Sequence, residues 1–233
     1  MLFMPVENNV GLVPILNWDA REITEVTPNA FTTLPNIGSL GGIWTSPSTG
    51  PIVAGDVRDI GGETVAYMGS DNHRQNIQWT KPDTDHLPYL LIWVGRYRGT
   101  SGFRHAWNVT QDGDGTTNLQ RLWLSANNWR APVAHASTSN PTIIAYWNAD
   151  GATGITGADK QGWYNNTIVD AGNALKQFED GKTYTFTLGS GKPTYTNNHF
   201  IGDVAQFLFY RDAALNDTNA SEIFNSVKTL WGI

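Results

Sequence analysis

The end of the chain, residues 200–233, decides the fold and reads FIGDVAQFLFYRDAALNDTNASEIFNSVKTLWGI. Residues 203–211 are rich in apolar and aromatic side chains and predict a strand. Beyond them, apolar residues recur at the spacing of one helical stripe, namely Ala220, Ile223, Phe224, Val227, Leu230 and Trp231. Asn216 is suited to cap this helix and Gly232 to end it. A long strand followed by an amphipathic helix therefore closes the chain.

Further strands are predicted upstream of this segment. Tyr89–Tyr97 is apolar on both faces, which is typical of a central strand covered on both sides. Thr183–Leu188 alternates between large apolar residues and threonines, so we expect its threonine face to be wet. The pattern also predicts strands over residues 64–68, 120–125 and 142–147. Asn165 and Asn166 tolerate positive φ angles and predict a hairpin over residues 162–169.

Two long stretches lack such a pattern. Residues 99–118 and 149–161 contain much Gly, Thr and Asp and show little periodicity. We interpret both as exposed loops. Loops of this length are often functional, so they are the first places to search for a site.

Composition excludes several classes of protein. The 233 residues fit one large sandwich or barrel, and ten Trp, nine Phe and eight Tyr supply enough apolar area for its core. The absence of Cys excludes disulfides, thiolate catalysis and Cys-ligated zinc. A net charge of −6 provides no basic surface for phosphate backbones, so we expect no nucleic-acid partner.

The first 16 residues differ from the rest of the chain in charge. Residues 1–16 contain no Lys or Arg and carry Glu7, so we expect no secretory signal there. We interpret residues 1–16 as an arm that docks on a neighbouring subunit or, alternatively, as a first strand, and residues 17–233 as one domain. The best apolar run, residues 87–95, is short and contains Pro88, so we expect no membrane insertion.

The closing segment also resembles a known family. Its Gly-acidic-apolar strand, the pair Tyr210-Arg211, the polar cap, the amphipathic helix and the final Trp231-Gly232 are similar to the close of bacterial and phage concanavalin A-like (laminin G-like) domains. The upstream order is similar too: an opening LNWDA at residues 16–20, apolar strands, and a Trp-Tyr hairpin. The resemblance implies an all-β, two-sheet antiparallel jelly-roll sandwich with a C-terminal amphipathic helix.

That fold hosts lectins, adhesion modules, polysaccharide hydrolases and virion proteins, so particular residues must decide between them. Glycanases of this superfamily carry Glu-x-Asp-x-x-Glu on one strand, which places the acid and the nucleophile on one cleft face. The chain has no such motif, and only Glu22 and Glu25 are near neighbours among its six Glu residues. We therefore expect no enzyme. The alternative is a hydrolase whose acids come from distant positions.

Aromatic and amide side chains in the predicted loops could bind a glycan, because sugars need a flat apolar face and hydroxyl partners. The candidate ligand-binding residues are Phe103, His105, Trp107, Asn108 and Trp129. The alternative interpretation is that these aromatic residues belong to the core.

Asp112-Gly-Asp-Gly115 is the most metal-like fragment. Asp112 and Asp114 lie on a Gly-rich stretch and suit the preference of Ca²⁺ for several oxygen ligands, so Ca²⁺ is the one cofactor that the sequence suggests. The alternative is a solvated Asp-Gly turn. The five histidines show no metal-ligand spacing.

These observations predict a non-catalytic, lectin-like adhesion or decoration module displayed on the head or tail of a phage virion. Its partners would be other virion proteins and cell-surface glycan, with a homo-oligomer as a further option. The alternatives are a polysaccharide-active jelly-roll hydrolase and a secreted bacterial glycan-binding module.

Overall fold

The computed structural model describes residues 10–23, 31–46, 52–53, 59–69, 73–99, 104–112, 118–125, 128–130, 134–136, 140–149, 160–170, 178–191 and 199–233. These residues form two antiparallel sheets and one C-terminal α-helix, which confirms the all-β, two-sheet sandwich. Val10–Ile15, the described part of the predicted N-terminal arm, precedes the first strand, and residues 1–9 lie outside the described residues.

The strands, in chain order, are β1 (Leu16–Asp19), β2 (Thr33–Pro35), β3 (Ile43–Thr45), β4 (Ile52–Val53), β5 (Ala66–Met68), β6 (Gln75–Thr80), β7 (Tyr89–Tyr97), β8 (Arg104–Gln111), β9 (Asn118–Ser125), β10 (Asn128–Arg130), β11 (Ala134–Ala136), β12 (Thr142–Asn148), β13 (Lys160–Tyr164), β14 (Thr167–Asp170), β15 (Thr183–Leu188) and β16 (Gly202–Arg211). A 3₁₀ turn, Ala20–Glu22, follows β1, and helix α1 spans Asp217–Leu230.

The first sheet has the order β14-β13-β12-β7-β16-β5-β4, with β1 also paired to β16. The second sheet has the order β11-β10-β9-β8-β15-β6-β3-β2. Strand β7 therefore lies centrally in the first sheet, as its two apolar faces predicted. The predicted hairpin is also confirmed, because β13 pairs with β14 and Asn165 adopts a φ of 49° in the turn.

Large aromatic side chains fill the space between the two sheets. Phe209 of the first sheet lies 5.2 Å from Trp79 and 5.1 Å from Phe186 of the second, measured between ring centroids. Phe178, which precedes β15, packs against the same group at 5.3 Å from Phe209. These contacts bury the inward residues of both sheets, which is the main source of stability for a sandwich.

Helix α1 covers the outer face of the first sheet. Its apolar stripe, which includes Ile223, Phe224 and Val227, packs in one buried cluster with outward residues of the sheet such as Leu208. Trp147 Nε1 also donates a hydrogen bond to Asp217 Oδ1 at 2.6 Å. The central strands of the first sheet, β7, β12 and β16, are thus buried on both faces. No helix in the described part of the chain is long and apolar enough to cross a membrane.

The N-cap of α1 offers a local test. Asn216 Oδ1 accepts a hydrogen bond from the backbone N–H of Asn219 at 3.0 Å, as predicted for a cap. Asn216→Ala should lower the free energy of unfolding by about 1 kcal/mol, measured by urea denaturation. Asn225→Ala, an exposed change within the same helix, should cause no loss, because Ala is the better helix former. An equal loss in both variants would contradict a capping role.

The prediction of a loop over residues 99–118 is wrong for its central part, which forms β8. The strand was missed because a β-bulge at Ala106 breaks the alternation of its side chains. The predicted loop over residues 149–161 is wrong at its end, where β13 begins at Lys160. Residues 150–159 lie outside the described residues.

Candidate functional site

The outer face of the second sheet is the broad sheet surface that α1 does not cover. Because side chains alternate along a strand, the residues between the core positions of β6, β8, β9 and β15 all point to this face. We define the polar face by the residues Thr45, Asn76, Gln78, Thr80, Asn108, Thr110, Arg121, Thr183, Thr185 and Thr187. Every member can donate or accept hydrogen bonds through its side chain.

One end of the polar face is exposed and carries a closed hydrogen-bond network. Asp112, just after β8, accepts from Gln78 Nε2 at 2.7 Å through Oδ2 and from Thr185 Oγ1 at 2.6 Å through Oδ1. Next to it, the hydroxyls of Thr80 and Thr183 share a hydrogen bond at 2.8 Å. These side chains therefore satisfy one another while Gln78, Thr80 and Asp112 remain exposed.

The expectation that the threonine face of β15 is wet is wrong for two of its three residues. Thr185 and Thr187 are buried, whereas Thr183 is partly exposed. Thr185 is tied to the carboxylate of Asp112, and Thr187 lies beside Asn108 in the register of the sheet. The alternation of apolar and threonine residues predicted strand β15, but it could not show which residues of other segments bury its threonines.

The other end of the polar face is covered by the segment that follows β15. Asn108 Nδ2 donates a hydrogen bond to the backbone carbonyl of Gly191. A Cβ on Gly191 would lie 2.7 Å from Cδ2 of His105, so this segment packs directly on the imidazole. Burial, with a further contribution from the charge of Arg121, lowers the pKa of His105 to about 4. The imidazole is therefore neutral at physiological pH.

The structure separates the predicted ligand-binding residues. His105 and Asn108 lie in β8 and are buried, and Trp107 between them points into the core, where its ring lies 5.1 Å from that of Tyr146. The backbone of Trp129 lies in β10, paired with Leu124 and His135. Phe103 lies outside the described residues. Glycan binding by these residues stays a prediction, but burial keeps Trp107 from acting as a surface platform.

Of the two predicted calcium ligands, the structure describes Asp112 alone. Both carboxylate oxygens of Asp112 accept hydrogen bonds from the polar face, and Asp114 lies outside the described residues. Within the residues that the structure describes, no three His, Asp or Glu side chains converge to hold a metal ion. Calcium binding therefore stays a prediction.

Sequence reasoning missed β6, which contributes three residues to the polar face. A signal was present in QNIQWT, residues 75–80, where Ile77 and Trp79 point inward and the intervening residues are polar. Period-two alternation over six residues is typical of a half-buried strand.

A charged cluster at one end of the sandwich provides a pH test. Arg211 donates to both carboxylate oxygens of Asp83, at 2.8 and 2.6 Å, and these hydrogen bonds lower the pKa of Asp83 to about 2. Lys81 adds an ion pair with Asp83 at 3.3 Å. The folded state therefore favours the ionised carboxylate more than the unfolded chain does.

A depressed carboxyl pKa contributes stability that is present above the ordinary value of 3.8 and is lost as the pH falls towards 2. Asp83→Asn should therefore flatten the decline of the urea midpoint between pH 4 and pH 2. Glu222→Gln, an exposed change on α1, should leave that decline unchanged. A decline of wild-type steepness in Asp83→Asn would contradict this role.

Comparison with known proteins shows what this fold is similar to. The sequence matches no family model and no curated protein. Among solved structures, a Trypanosoma rangeli sialidase in complex with the inhibitor DANA superposes with a TM-score of 0.57 at 13% identity, over 92% of this chain and 32% of the sialidase chain. The same sialidase with 2,3-difluorosialic acid gives a TM-score of 0.54, also at 13% identity, over 94% of this chain and 33% of that chain.

A structure of botulinum neurotoxin type C superposes with a TM-score of 0.56 at 9% identity. That structure is described in terms of a cell entry that depends on interaction with two ganglioside molecules. The match covers 96% of this chain and 53% of the neurotoxin chain. The chain thus spans about a third of the sialidase chains and about half of the neurotoxin chain. At these identities the likeness shows the fold alone, and that fold is a two-sheet antiparallel β sandwich.

Proposed function

We propose that this chain is a non-catalytic, lectin-like module that binds glycans on the polar face of its second sheet. The observation that carries the proposal is the asymmetry of the two sheets. Helix α1 buries the outer face of the first sheet under apolar side chains, whereas the outer face of the second bears hydroxyl, amide and guanidinium groups. A polar sheet surface beside a fully buried one is suited to a hydroxylated ligand.

The chemistry of the polar face fits sugar recognition. Amide groups such as those of Asn76 and Gln78 offer both donors and acceptors, and threonine hydroxyls can serve as either. Arg121 adds a donor for acceptor oxygens on the same surface. The neurotoxin that shares this fold is described as interacting with gangliosides, which supports glycan as the ligand class.

The proposal takes the chain as non-catalytic, since most glycoside hydrolases use a pair of cooperating carboxyl groups. Asp112 is the carboxylate that we can place beside the polar face, and its two oxygens are held by Gln78 and Thr185. A hydrolase is the second candidate, since the sialidase shares the fold. Product release from a bound oligosaccharide would favour that candidate.

Binding can be tested on a printed array of neutral, N-acetylated and sialylated oligosaccharides, with chromatography of the supernatant for released products. We expect retention without products. Gln78→Ala combined with Thr80→Ala should weaken retention at least fivefold, because each lost hydrogen bond contributes about 1 kcal/mol. Asn225→Ala with Thr229→Ala, exposed on α1, is the matched control. No retention by the wild-type chain would overturn the proposal.

As a finer part of the proposal, we place the module on the surface of a phage virion. The resemblance of residues 200–233 to the close of phage domains supports this, and that segment does form the expected strand and helix. Its partners would then be other virion proteins and cell-surface glycan. Mass spectrometry of purified particles should detect the chain in a fixed ratio to the capsid protein. Its absence from particles would favour the secreted alternative.

A further inference from the structure

Residues of the polar face that lie opposite one another on adjacent strands form rows across the sheet, and one row differs from its neighbours in hydrogen bonding. The register of the sheet aligns Thr45, Asn76, Thr187, Asn108 and Arg121 across five strands. Asn76 Oδ1 and Thr187 Oγ1 face each other on adjacent strands, and both atoms are buried without a hydrogen-bond partner. Side chains that are opposite each other in this way have Cβ atoms about 4.5–5.5 Å apart.

The neighbouring rows provide an internal comparison. Two residues along the strands, Gln78 and Thr185 are both bonded to Asp112, and beyond them Thr80 is bonded to Thr183. At one end of the polar face the side chains therefore form hydrogen bonds with one another. In the next row Asn76 Oδ1 and Thr187 Oγ1 have no hydrogen-bond partner among the described residues. An unsatisfied buried oxygen is destabilising, so a group that supplies its missing partner gains free energy.

We infer that Asn76 and Thr187 form a subsite for one hydrogen-bond-donating group of the bound glycan, either a hydroxyl or the N–H of an N-acetyl substituent. The inference rests on the proposed function and deepens it. Asn76 Oδ1 can only accept, so the entering group must donate, and a carboxylate is excluded at this position. Thr187 Oγ1 can accept from the same group or donate to it.

Access to the subsite is from the side of β6. Thr187 is 1% exposed, but Asn76 is partly exposed and Thr45, the next residue in the row, is exposed. On the opposite side the row is covered where Asn108 is bonded to Gly191. A sugar that lies over Thr45 and Asn76 can therefore direct one substituent towards Thr187.

The test uses two isosteric substitutions on one strand. Thr187→Val removes a hydroxyl that has no partner in the protein, so it should not lower the urea midpoint of the free chain. Thr185→Val removes a hydroxyl that is bonded to Asp112, so it should lower that midpoint. For the neutral or N-acetylated oligosaccharide that the wild-type chain retains best, Thr187→Val should raise the Kd about two- to tenfold. Asn76→Leu should do the same.

Deoxy analogues of that oligosaccharide identify the group. Removing the hydroxyl or N-acetyl group that enters the subsite should weaken binding to the wild-type chain. The further loss should be smaller in Thr187→Val, which keeps the contact with Asn76, and absent when Thr187→Val is combined with Asn76→Leu, as in a double-mutant cycle. If the wild-type chain binds and both variants keep its affinity, the subsite is wrong while the proposed function stands. If the wild-type chain retains no glycan, both are overturned.

Discussion

Gln206→Leu is expected to lower the free energy of unfolding by about 3–4 kcal/mol. Gln206 is fully buried under α1, and its Nε2 donates to Asn17 Oδ1 at 3.3 Å and to Asp19 Oδ2 at 3.1 Å. Its Oε1 accepts from Trp231 Nε1 at 2.8 Å. Leu would leave Asn17 Oδ1 and Trp231 Nε1 unsatisfied in the interior, at about 1–3 kcal/mol each. Asp19 Oδ2 would lose one hydrogen bond but keep its ion pair with Arg21.

The control for this prediction is the same substitution on the exposed polar face. Gln78 donates one hydrogen bond, to exposed Asp112, so Gln78→Leu should change the free energy of unfolding by about 1 kcal/mol or less. Urea denaturation followed by tryptophan fluorescence measures both variants. Similar losses in the two variants would show that the buried network is not what stabilises this part of the fold.

The two ends of the sequence that carried the family resemblance meet at Gln206. The opening LNWDA forms β1 and contributes Asn17 and Asp19, and the final Trp231-Gly232 contributes the indole at the end of α1. The sequence of each motif was enough to predict a strand or a helix end. The contact between the two motifs could not be predicted, because it requires β1 to pair with β16, whose residues lie about 190 positions further along the chain.

Elements with a strong pattern on their own were predictable with nearly their observed bounds. β7 is apolar on both faces, β15 alternates, and α1 has a clear stripe and caps. The loop prediction failed at β8 because a bulge interrupts the alternation of its side chains. Of the four strands that contribute most to the polar face, β9 and β15 were predicted, whereas β6 and β8 were missed.

The candidate site was therefore less predictable than the fold. Asn76, Asn108 and Thr187 are distant in sequence and share a row only through the order β8-β15-β6. Sequence reasoning instead selected residues within 103–108 together with Trp129. The alternation of β8 sends Trp107 to the core and Asn108 to the polar face. A site made by sheet register requires the strand order before its members can be named.

Gly61→Ala should lower the free energy of unfolding by about 2–5 kcal/mol. Gly61 has a φ of +64°, and a Cβ there would lie 2.5 Å from the backbone oxygen of Trp231. A left-handed conformation costs a non-glycine residue about 1–2 kcal/mol, and displacing packed backbone costs about 1–3 kcal/mol more. Gly62, with a φ of +83° and no atom within 4 Å of its Cβ position, is the matched control. Gly62→Ala should cost about 1–2 kcal/mol, the conformational part alone.

Urea denaturation of the two glycine variants separates the steric contribution from the conformational one. Because Gly61 and Gln206 both hold Trp231 at the end of α1, Gly61→Ala combined with Gln206→Leu should lose less stability than the sum of the single changes. Full additivity would mean that the two contacts act independently, and helix docking would then not be the event that both stabilise. A less-than-additive loss would mean that both contacts stabilise the same event, the docking of Trp231 at the end of α1 against the first sheet. The hydrogen bonds of Gln206 to Asn17 and Asp19 would make β1 part of the same cooperative unit.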